Sequence, residues 1–361
     1  MKIFTNKSRN IILDIGTRYT KAIHLSEKST EQMRIDHSIE ESTYDFDFLP
    51  LQECKVKDEE KFLEVLRLCY SKLRTMEKNV FVTIPDHVVI IRLITLKEED
   101  IEKGGGDSRV KEIVVKKLKP TLPISIDRWF YDVQEVERTN AQRIFLVEAI
   151  LRNNLFEIER QVRRIGLNPV GVDINSFNSV NLFSEYLESE DNTGRNISVV
   201  SLNNRSTTVM VFRNGHLRTA QTRLVGGYDI IRHLSEAHSI NATDAEKIMR
   251  EQTIFLPENT EEQDNINNFN IIKPVFSELL MSLFNMYEYY TENFKESEIN
   301  KIILTGGLSN MKNLDKQLEA RLNIDVIKGD SLVEVFNRKG ERLSRQDINT
   351  LAASAGSLLR E

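Results

Sequence analysis

Cysteine is almost missing from this chain. Only Cys54 and Cys69 occur among 361 residues, too few for a disulfide framework or a cysteine-rich zinc site. Sparse thiols fit a reducing compartment, so the chain reads as cytoplasmic. Long apolar runs are missing as well. The run after Arg9 breaks at Asp14, too short for the core of a signal peptide. Nothing approaches the roughly 18 to 20 apolar residues of a spanning helix. No direct membrane insertion is expected, and any membrane association would pass through a partner or a surface. Positive charge is not in excess either. Lys and Arg number 49 against 55 Asp and Glu, a net charge of −6, which gives no electrostatic reason to expect a nucleic-acid partner. His24, His37, His87, His216, His233 and His238 are scattered, without metal-ligand spacing beside carboxylates or cysteines.

What is present is globular. Hydrophobic residues make up 40% and charged residues 29%, the ordinary range for packed domains. The length predicts two or three units and a large core. Residues 11–25 read as two strands around a tight turn, and 58–78 as an amphipathic helix with Phe62, Leu63, Leu66, Cys69, Tyr70 and Leu73 on one stripe. Strands follow at Val80–Ile84 and Val88–Leu96, and Gly104-Gly105-Gly106 marks a loop. A basic helix spans 109–119, ended by Pro120; its lysines read as a solvated face, with anionic lipid as the alternative. Further strands are expected at Trp129–Val136 and Arg143–Leu151, a helix at Asn154–Ile165 and a strand in "NPVGVDI".

Residues 175–188 read as helical, and the polar "ESEDNTGRN" as the main domain boundary. The pattern then restarts. Strands are expected at Ile197–Leu202 and Thr208–Phe212, with a hairpin signal at Asn214-Gly215. A helix spans 228–250, a mobile loop the asparagine-rich stretch from Pro257, and a long helix 271–294. Strand Lys301–Leu304, helix 310–322, strand Asp325–Ile327 and a small-residue helix at 349–359 complete the chain. Both halves begin strand–turn–strand and both contain helices. That is a weak duplication, expected as two α/β domains across a cleft.

Two segments carry the chemistry. In "LDIGTRYTK", Gly16 opens a turn whose backbone N–H groups can approach a phosphate, and Thr17 adds a hydroxyl. Lys21 lies on the strand face of Thr17 and Tyr19, where it can neutralise a phosphate. Asp14 at the strand end would hold a hydrated Mg²⁺ through water. In "KIILTGGLSNMKNL", a buried strand runs into Gly306-Gly307, and Ser309 or Asn310 is expected to cap a helix, placing a dipole where a ligand can approach. Standing alone, each segment also fits a plain turn.

Together, and in this order, they resemble the actin-like ATPase superfamily of actin, Hsp70, sugar kinases and FtsA. Within it the chain most resembles the PilM family, cytoplasmic actin-like proteins of type IV pilus assembly related to FtsA. The likeness runs through "LDIGTRYTKAIHL", "FVTIPDHVVIIRLITL", "KKLKPTLPISIDRWFYDVQEV", "EIERQVRRIGLNPVGVDINSFNSVNLF", "VGGYDI", "TDAEKIM" and "ILTGGLSNMKNLDKQLEARLNIDV". It implies an α/β actin-like fold, two duplicated domains around a cleft with an inserted FtsA/PilM-type subdomain. The implied division is 1–84 for the first domain core, 85–168 for the inserted subdomain and 169–194 for the crossover. The second domain is 195–348, with an outer lobe at about 228–298, and a C-terminal helix follows at 349–361.

The resemblance also implies ATP with Mg²⁺. It places the nucleotide on Asp14, Gly16, Thr17 and Lys21, on Thr207 and Thr208, on Gly226, Gly227 and Glu246, and on Gly306, Gly307, Ser309 and Asn310. Asp14 would hold the metal through water. The chain departs from the pattern at the second phosphate hairpin, "SLNNRSTT". Ser201 stands where the family has aspartate, and Asn203 where it has glycine. The missing carboxylate removes a group that positions metal and water for phosphoryl transfer. Arg205 reads as a solvated side chain, with a phosphate contact as the alternative. Glu246 lacks the family's lysine three residues on, where Met249 stands; Arg250 is a candidate replacement. Asp173 either lines the cleft or caps the next helix.

The expected function is an assembly protein that docks the cytoplasmic tail of an inner-membrane PilN-type protein and meets other pilus assembly proteins. It would lie peripheral to the inner membrane through those partners, with ATP binding weak and hydrolysis slow or absent. Nucleotide would bias cleft closure and so tail affinity. Homo-oligomerisation stays open. The alternatives are an active actin-like ATPase and an FtsA-like membrane-associated filament. Two features count against these: the loss at Ser201, and the small-residue segment "AASAGSLLRE", which reads as the last helix of the fold, so that a direct anchor is not expected.

Overall fold

The computed structural model describes residues 10–28, 33–42, 46–47, 52–56, 58–103, 106–255, 263–294 and 298–359. Gly104 and Gly105 of the glycine loop, and Pro257 to Glu262 of the polar stretch, lie outside the described residues. Packing gathers the chain into two units. The first contains Met1–Ser26, Asp36–Asn175 and His216–Ala220; the second contains Glu27–Ile35, Ser176–Gly215 and Gln221–Glu361.

The chain opens with β1 (Ile11–Ile15), β2 (Tyr19–Lys28) and β3 (Met33–Glu41), of which Glu27–Lys28 and Met33–Ile35 fall in the second unit. β1 is buried along its whole length, as a central strand covered on both faces must be. A two-residue ladder, β4 (Phe46–Asp47) with β5 (Lys55–Val56), precedes α1 (Glu59–Ser71). Asp58 caps α1, its Oδ1 accepting from the Lys61 N–H at 3.1 Å. The helix ends at Ser71 rather than residue 78, yet it buries Phe62, Leu63, Leu66 and Cys69 as the periodicity predicts. β6 (Asn79–Ile84) follows, then β7 (Val89–Lys97), α2 (Glu98–Lys103), α3 (Val110–Leu118), β8 (Trp129–Arg138), β9 (Gln142–Leu151), α4 (Arg152–Arg164) and β10 (Asn168–Ile174).

These strands form two sheets. One runs β10-β6-β1-β2-β3; the other is the three-stranded β7-β9-β8. The smaller sheet has its own core, in which Ile94, Leu96, Phe145 and Val147 meet Ile101 of α2 and Val114 and Leu118 of α3. α4 returns the chain to the larger sheet: Arg160 reaches Glu59 of α1 at 2.6 Å, and Arg164 pairs with the same carboxylate.

After β10 the chain runs through α5 (Asn175–Val180), α6 (Ser184–Leu187), β11 (Asn196–Leu202), β12 (Thr207–Arg213) and β13 (His216–Arg223), whose His216–Ala220 falls in the first unit. The polar stretch at 188–196 lies within the second unit, and packing divides the chain after Asn175. Asn192 is buried, and its Nδ2 donates to the Tyr186 carbonyl at 2.7 Å and to Ser189 Oγ at 3.0 Å. Its polarity is spent on internal hydrogen bonds, not on a linker. Asn214 and Gly215 both take positive φ, the tight hairpin expected between β12 and β13.

The helix expected over 228–250 is two helices, α7 (Gly227–His238) and α8 (Ala242–Glu251). Ser239 turns left-handed at φ 53°, and Asn241 Oδ1 accepts from the Asp244 N–H at 2.9 Å to cap α8. α9 (Gln263–Phe294) starts inside the stretch read as a loop. Asn268 Nδ2 donates to Gln252 Oε1 at 2.6 Å, and its Oδ1 meets His238 Nε2 at 2.6 Å. The asparagines of this stretch are thus partly tertiary contacts. β14 (Lys301–Thr305), α10 (Leu314–Leu322), β15 (Asp325–Lys328), β16 (Val335–Asn337) and α11 (Arg345–Ser357) complete the unit. Its main sheet runs β13-β12-β11-β14-β15, and β16 pairs in parallel with Met33–Ile35. A Cβ on Gly356 would collide with the Asn178 carbonyl, so that position of α11 takes only glycine. Among the described residues no helix is long and apolar enough to cross a membrane.

The two main sheets repeat one plan. An antiparallel meander of three strands is extended by two strands parallel to its first: β6 and β10 beside β1, β14 and β15 beside β11. The duplication suspected from the sequence is therefore a duplication of sheet order.

Candidate functional site

Sheet register gives each candidate residue its place. In the first unit Asp14 pairs with Lys21 across β1–β2 and with Thr83 across β1–β6, and Thr83 pairs with Asp173 across β6–β10. Asp14 is fully buried. Lys21 Nζ lies 2.6 Å from its Oδ2, and Asn175 Nδ2 donates to its Oδ1 at 3.3 Å. Gly16 has no room for a side chain, since a Cβ would strike the Tyr19 carbonyl. Its own carbonyl accepts from Ser42 Oγ at 3.1 Å. Thr17 sits in the turn between β1 and β2, half-buried.

In the second unit the same register holds different chemistry. Ser201 pairs with Thr208 across β11–β12 and with Thr305 across β11–β14. Ser201 is therefore the counterpart of Asp14, Thr208 of Lys21 and Thr305 of Thr83. The serine hydroxyl accepts from Asn203 Nδ2 at 3.1 Å. Thr207 Oγ1 donates to the Val225 carbonyl at 2.8 Å, and Thr208 Oγ1 lies 3.0 Å from Thr222 Oγ1. Both threonines are buried and spend their hydroxyls on neighbouring backbone and β13.

The glycine pairs converge on the second turn. Gly227 N–H donates to the Asn203 carbonyl at 3.0 Å, and Gly226 N–H to Asp229 Oδ2 at 3.1 Å. A Cβ on Gly306, at φ +87°, would strike the Leu202 carbonyl, whereas one on Gly307 would meet nothing within 4 Å. Ser309 and Asn310 do not cap a helix. Gly307–Asn310 form a short 3-10 turn, and α10 starts only at Leu314. Ser309 Oγ donates to the Gly306 carbonyl at 2.6 Å. Asn310 Nδ2 donates to the Gln346 carbonyl at 3.1 Å, while its Oδ1 accepts from Asn349 at 3.0 Å. A four-residue turn carries no helix dipole, so the approach to the backbone rests on Gly307 alone. Glu246 is nearly buried on α8 and pairs with Arg250, Nη2 to Oε1 at 2.7 Å. Arg250 thus binds the glutamate itself.

Sequence reasoning missed Thr83, Thr305 and Asn175. Thr83 Oγ1, Thr305 Oγ1 and Asn175 Oδ1 are buried without a hydrogen-bond partner. A buried, unsatisfied polar atom is costly, and such atoms suit a site that completes its hydrogen bonds with a ligand. The sequence signal available was a threonine ending each buried strand, "FVT" and "IILT". Within the first unit, Thr83, Gly16 and Lys21 suit a phosphate group; within the second, Thr305 stands beside the close backbone of Gly306. For Mg²⁺ the fit is outer-sphere only. Asp14 is the one carboxylate of the two counterpart positions, and among the described residues no group of three or more metal-ligating side chains occurs.

The family described as "Type IV pilus assembly protein PilM" matches residues 12–360. No curated protein matches the sequence. Among solved structures, the "PilM-PilN type IV pilus biogenesis complex" is similar with a TM-score of 0.80 at 17% identity, covering 98% of this chain and 99% of that one. MreB 5 of Spiroplasma citri bound to AMPPNP gives 0.53 at 9% identity, over 98% and 96% of the two chains. The ethanolamine utilization protein EutJ from Carboxydothermus hydrogenoformans gives 0.52 at 12%, over 98% and 90%. The fold is the actin-like ATPase fold.

Proposed function

We propose that this chain, which belongs to the type IV pilus assembly protein PilM family, is an assembly protein that binds ATP weakly and hydrolyses it slowly or not at all. It docks the cytoplasmic tail of an inner-membrane PilN-type protein and so lies peripheral to that membrane. One observation carries the nucleotide part: Asp14 and Lys21 form a charged pair in the first turn, while the counterpart position in the second sheet is Ser201, beside Thr208. Phosphoryl transfer depends on positioning and charge. A second turn without a carboxylate keeps the means to hold phosphate and loses a means to place metal and water. Mg²⁺, when bound, would supply neutralisation of the phosphates, with Asp14 reaching it through water.

The partner reading is supported by the solved complex of a PilM with a PilN. The tail would be taken within residues 80–165. Nucleotide would change its affinity only through a difference between the nucleotide-bound and nucleotide-free forms. The test is fluorescence anisotropy of a labelled peptide carrying the partner's cytoplasmic tail, with and without ATP. Saturable binding that ATP strengthens supports the proposal; absence of binding in both conditions overturns it.

A further inference from the structure

α9 has two faces. Val275, Phe276, Leu279, Leu283, Met286 and Tyr290 are buried on one of them. On the other, Glu278, Met281, Asn285, Glu288 and Glu292 follow at steps of three and four residues, a single exposed stripe. Phe284 and Tyr289 flank it. Met281 is 60% exposed, Phe284 44% and Tyr289 46%, so three large apolar side chains meet water along one helix. Single exposed apolar residues need no explanation, but a gathered set rimmed by polar groups marks a contact surface. The stripe is also acidic. From Pro274 to Phe294 the charged residues are Glu278, Glu288 and Glu292, with Lys273 just upstream. Among the described residues no cation pairs with any of the three glutamates.

α3 carries the opposite charge. Lys111, Lys116 and Lys117 of this helix and Lys119 just after it are exposed, and among the described residues none pairs with a carboxylate. Lys117 Nζ donates to the Thr95 carbonyl at 3.2 Å. Glu112, the one acid of the helix, is taken by Arg109 at 2.8 Å. The neighbouring α2 adds Asp100 and Glu102, so the positive charge is confined to α3 itself. Helix charges are matched where helices meet inside the chain: Glu59 of α1 is held by Arg160 and Arg164 of α4. The unmatched lysines and the unmatched glutamates are all exposed, so they do not satisfy one another within one molecule.

We propose that the outer stripe of α9 is an interface for a second copy of this chain, whose α3 covers it. The lysine stems of the second copy lie along Met281 and Phe284, and their ammonium groups reach Glu278, Glu288 and Glu292. Two different faces meet, so the contact is heterologous and joins copies head to tail. The stripe from Glu278 to Glu292 is about 21 Å long, the size of a weak, reversible contact.

Sedimentation velocity of the full chain over a concentration series tests this. Wild type should sediment faster as concentration rises, and less so at high salt, because exposed charges are screened. The double variants Glu288→Lys/Glu292→Lys and Lys116→Glu/Lys119→Glu should each weaken self-association at least about tenfold, since they set like charges against each other. Phe284→Ala should weaken it with no change of charge. All these side chains are exposed, so the variants should fold, which thermal unfolding checks. Mixed in equal amounts, the two charge-reversed variants should associate again, because their reversed faces are complementary. A wild type that stays monomeric overturns the proposal; binding to phosphatidylglycerol vesicles that the lysine variant loses would then give α3 to lipid. Self-association that survives either reversal, or that the mixture does not restore, overturns the pairing of α3 with α9.

Discussion

Lys21 Nζ stands 2.6 Å from Asp14 Oδ2, and that carboxylate is fully buried. The lysine expected to meet a phosphate is already neutralised by its strand partner. A nucleotide must therefore compete with Asp14 for it, which is one physical reason for weak affinity. Removing one member of a buried pair leaves an uncompensated charge, at a cost of about 3 to 5 kcal/mol. Lys21→Met should lower unfolding stability by about 3 kcal/mol, and adding Asp14→Asn should restore most of the loss. Urea denaturation of both single variants and the double variant checks this.

The two glycines after β14 should separate stability from binding. Gly306→Ala forces a side chain into left-handed backbone against the Leu202 carbonyl, at a cost of about 1 to 3 kcal/mol. Gly307→Ala meets open space and should leave stability unchanged while reducing nucleotide affinity. Thermal unfolding beside ligand titration reads both.

Thr83 carries a buried hydroxyl with no partner. Thr83→Val keeps the shape and deletes the unsatisfied group, so it should raise stability by about 1 kcal/mol. The same change should weaken ATP binding, because the hydroxyl would complete its hydrogen bonds with the ligand. Thr305→Val in the second sheet should behave alike. A loss of stability in both would show that neither hydroxyl is an unsatisfied group awaiting a ligand.

Burial pushes the Cys69 thiol up from 9.0 to about 12. In the unfolded chain it ionises near its ordinary value, so the folded state holds the proton over a range where the unfolded state has lost it. Stability from this group is complete below pH 9 and declines from pH 9 to 12. Cys69→Ala should flatten that alkaline decline in denaturation midpoints. The native thiol should also resist alkylation at pH 8, as a protonated, buried cysteine does.

The alternating meanders and buried central strands are legible in the sequence because local patterns encode them. Asp14, Gly16 and Lys21 are legible for the same reason: one tight turn joins their strands. Ser201 is legible as a departure, and its register opposite Thr305 turns that departure into a position in the fold. What is not legible depends on distant partners. Asn192 and Asn268 read as linker and loop because nothing nearby in sequence names the groups that satisfy them. Ser309 reads as a cap because the helix start at Leu314 depends on Asn313, left-handed at φ 62°, whose Nδ2 donates to the Phe255 carbonyl at 3.0 Å. Arg205 is exposed, as the sequence reads it; only its stacking on Tyr228 is illegible, because that ring arrives after the chain has built β12 and β13.

The central claim is that the first turn keeps the means to hold a phosphate, while its counterpart turn in the second sheet lacks a carboxylate. The most direct measurement is equilibrium binding of a fluorescent ATP analogue with Mg²⁺, wild type beside Lys21→Ala, with phosphate release followed in the same samples. The account predicts micromolar affinity, about −8 kcal/mol, lost in the variant, and phosphate release no faster in wild type than in the variant. Metal-dependent turnover well above the Lys21→Ala control, or binding indifferent to Lys21, would contradict it.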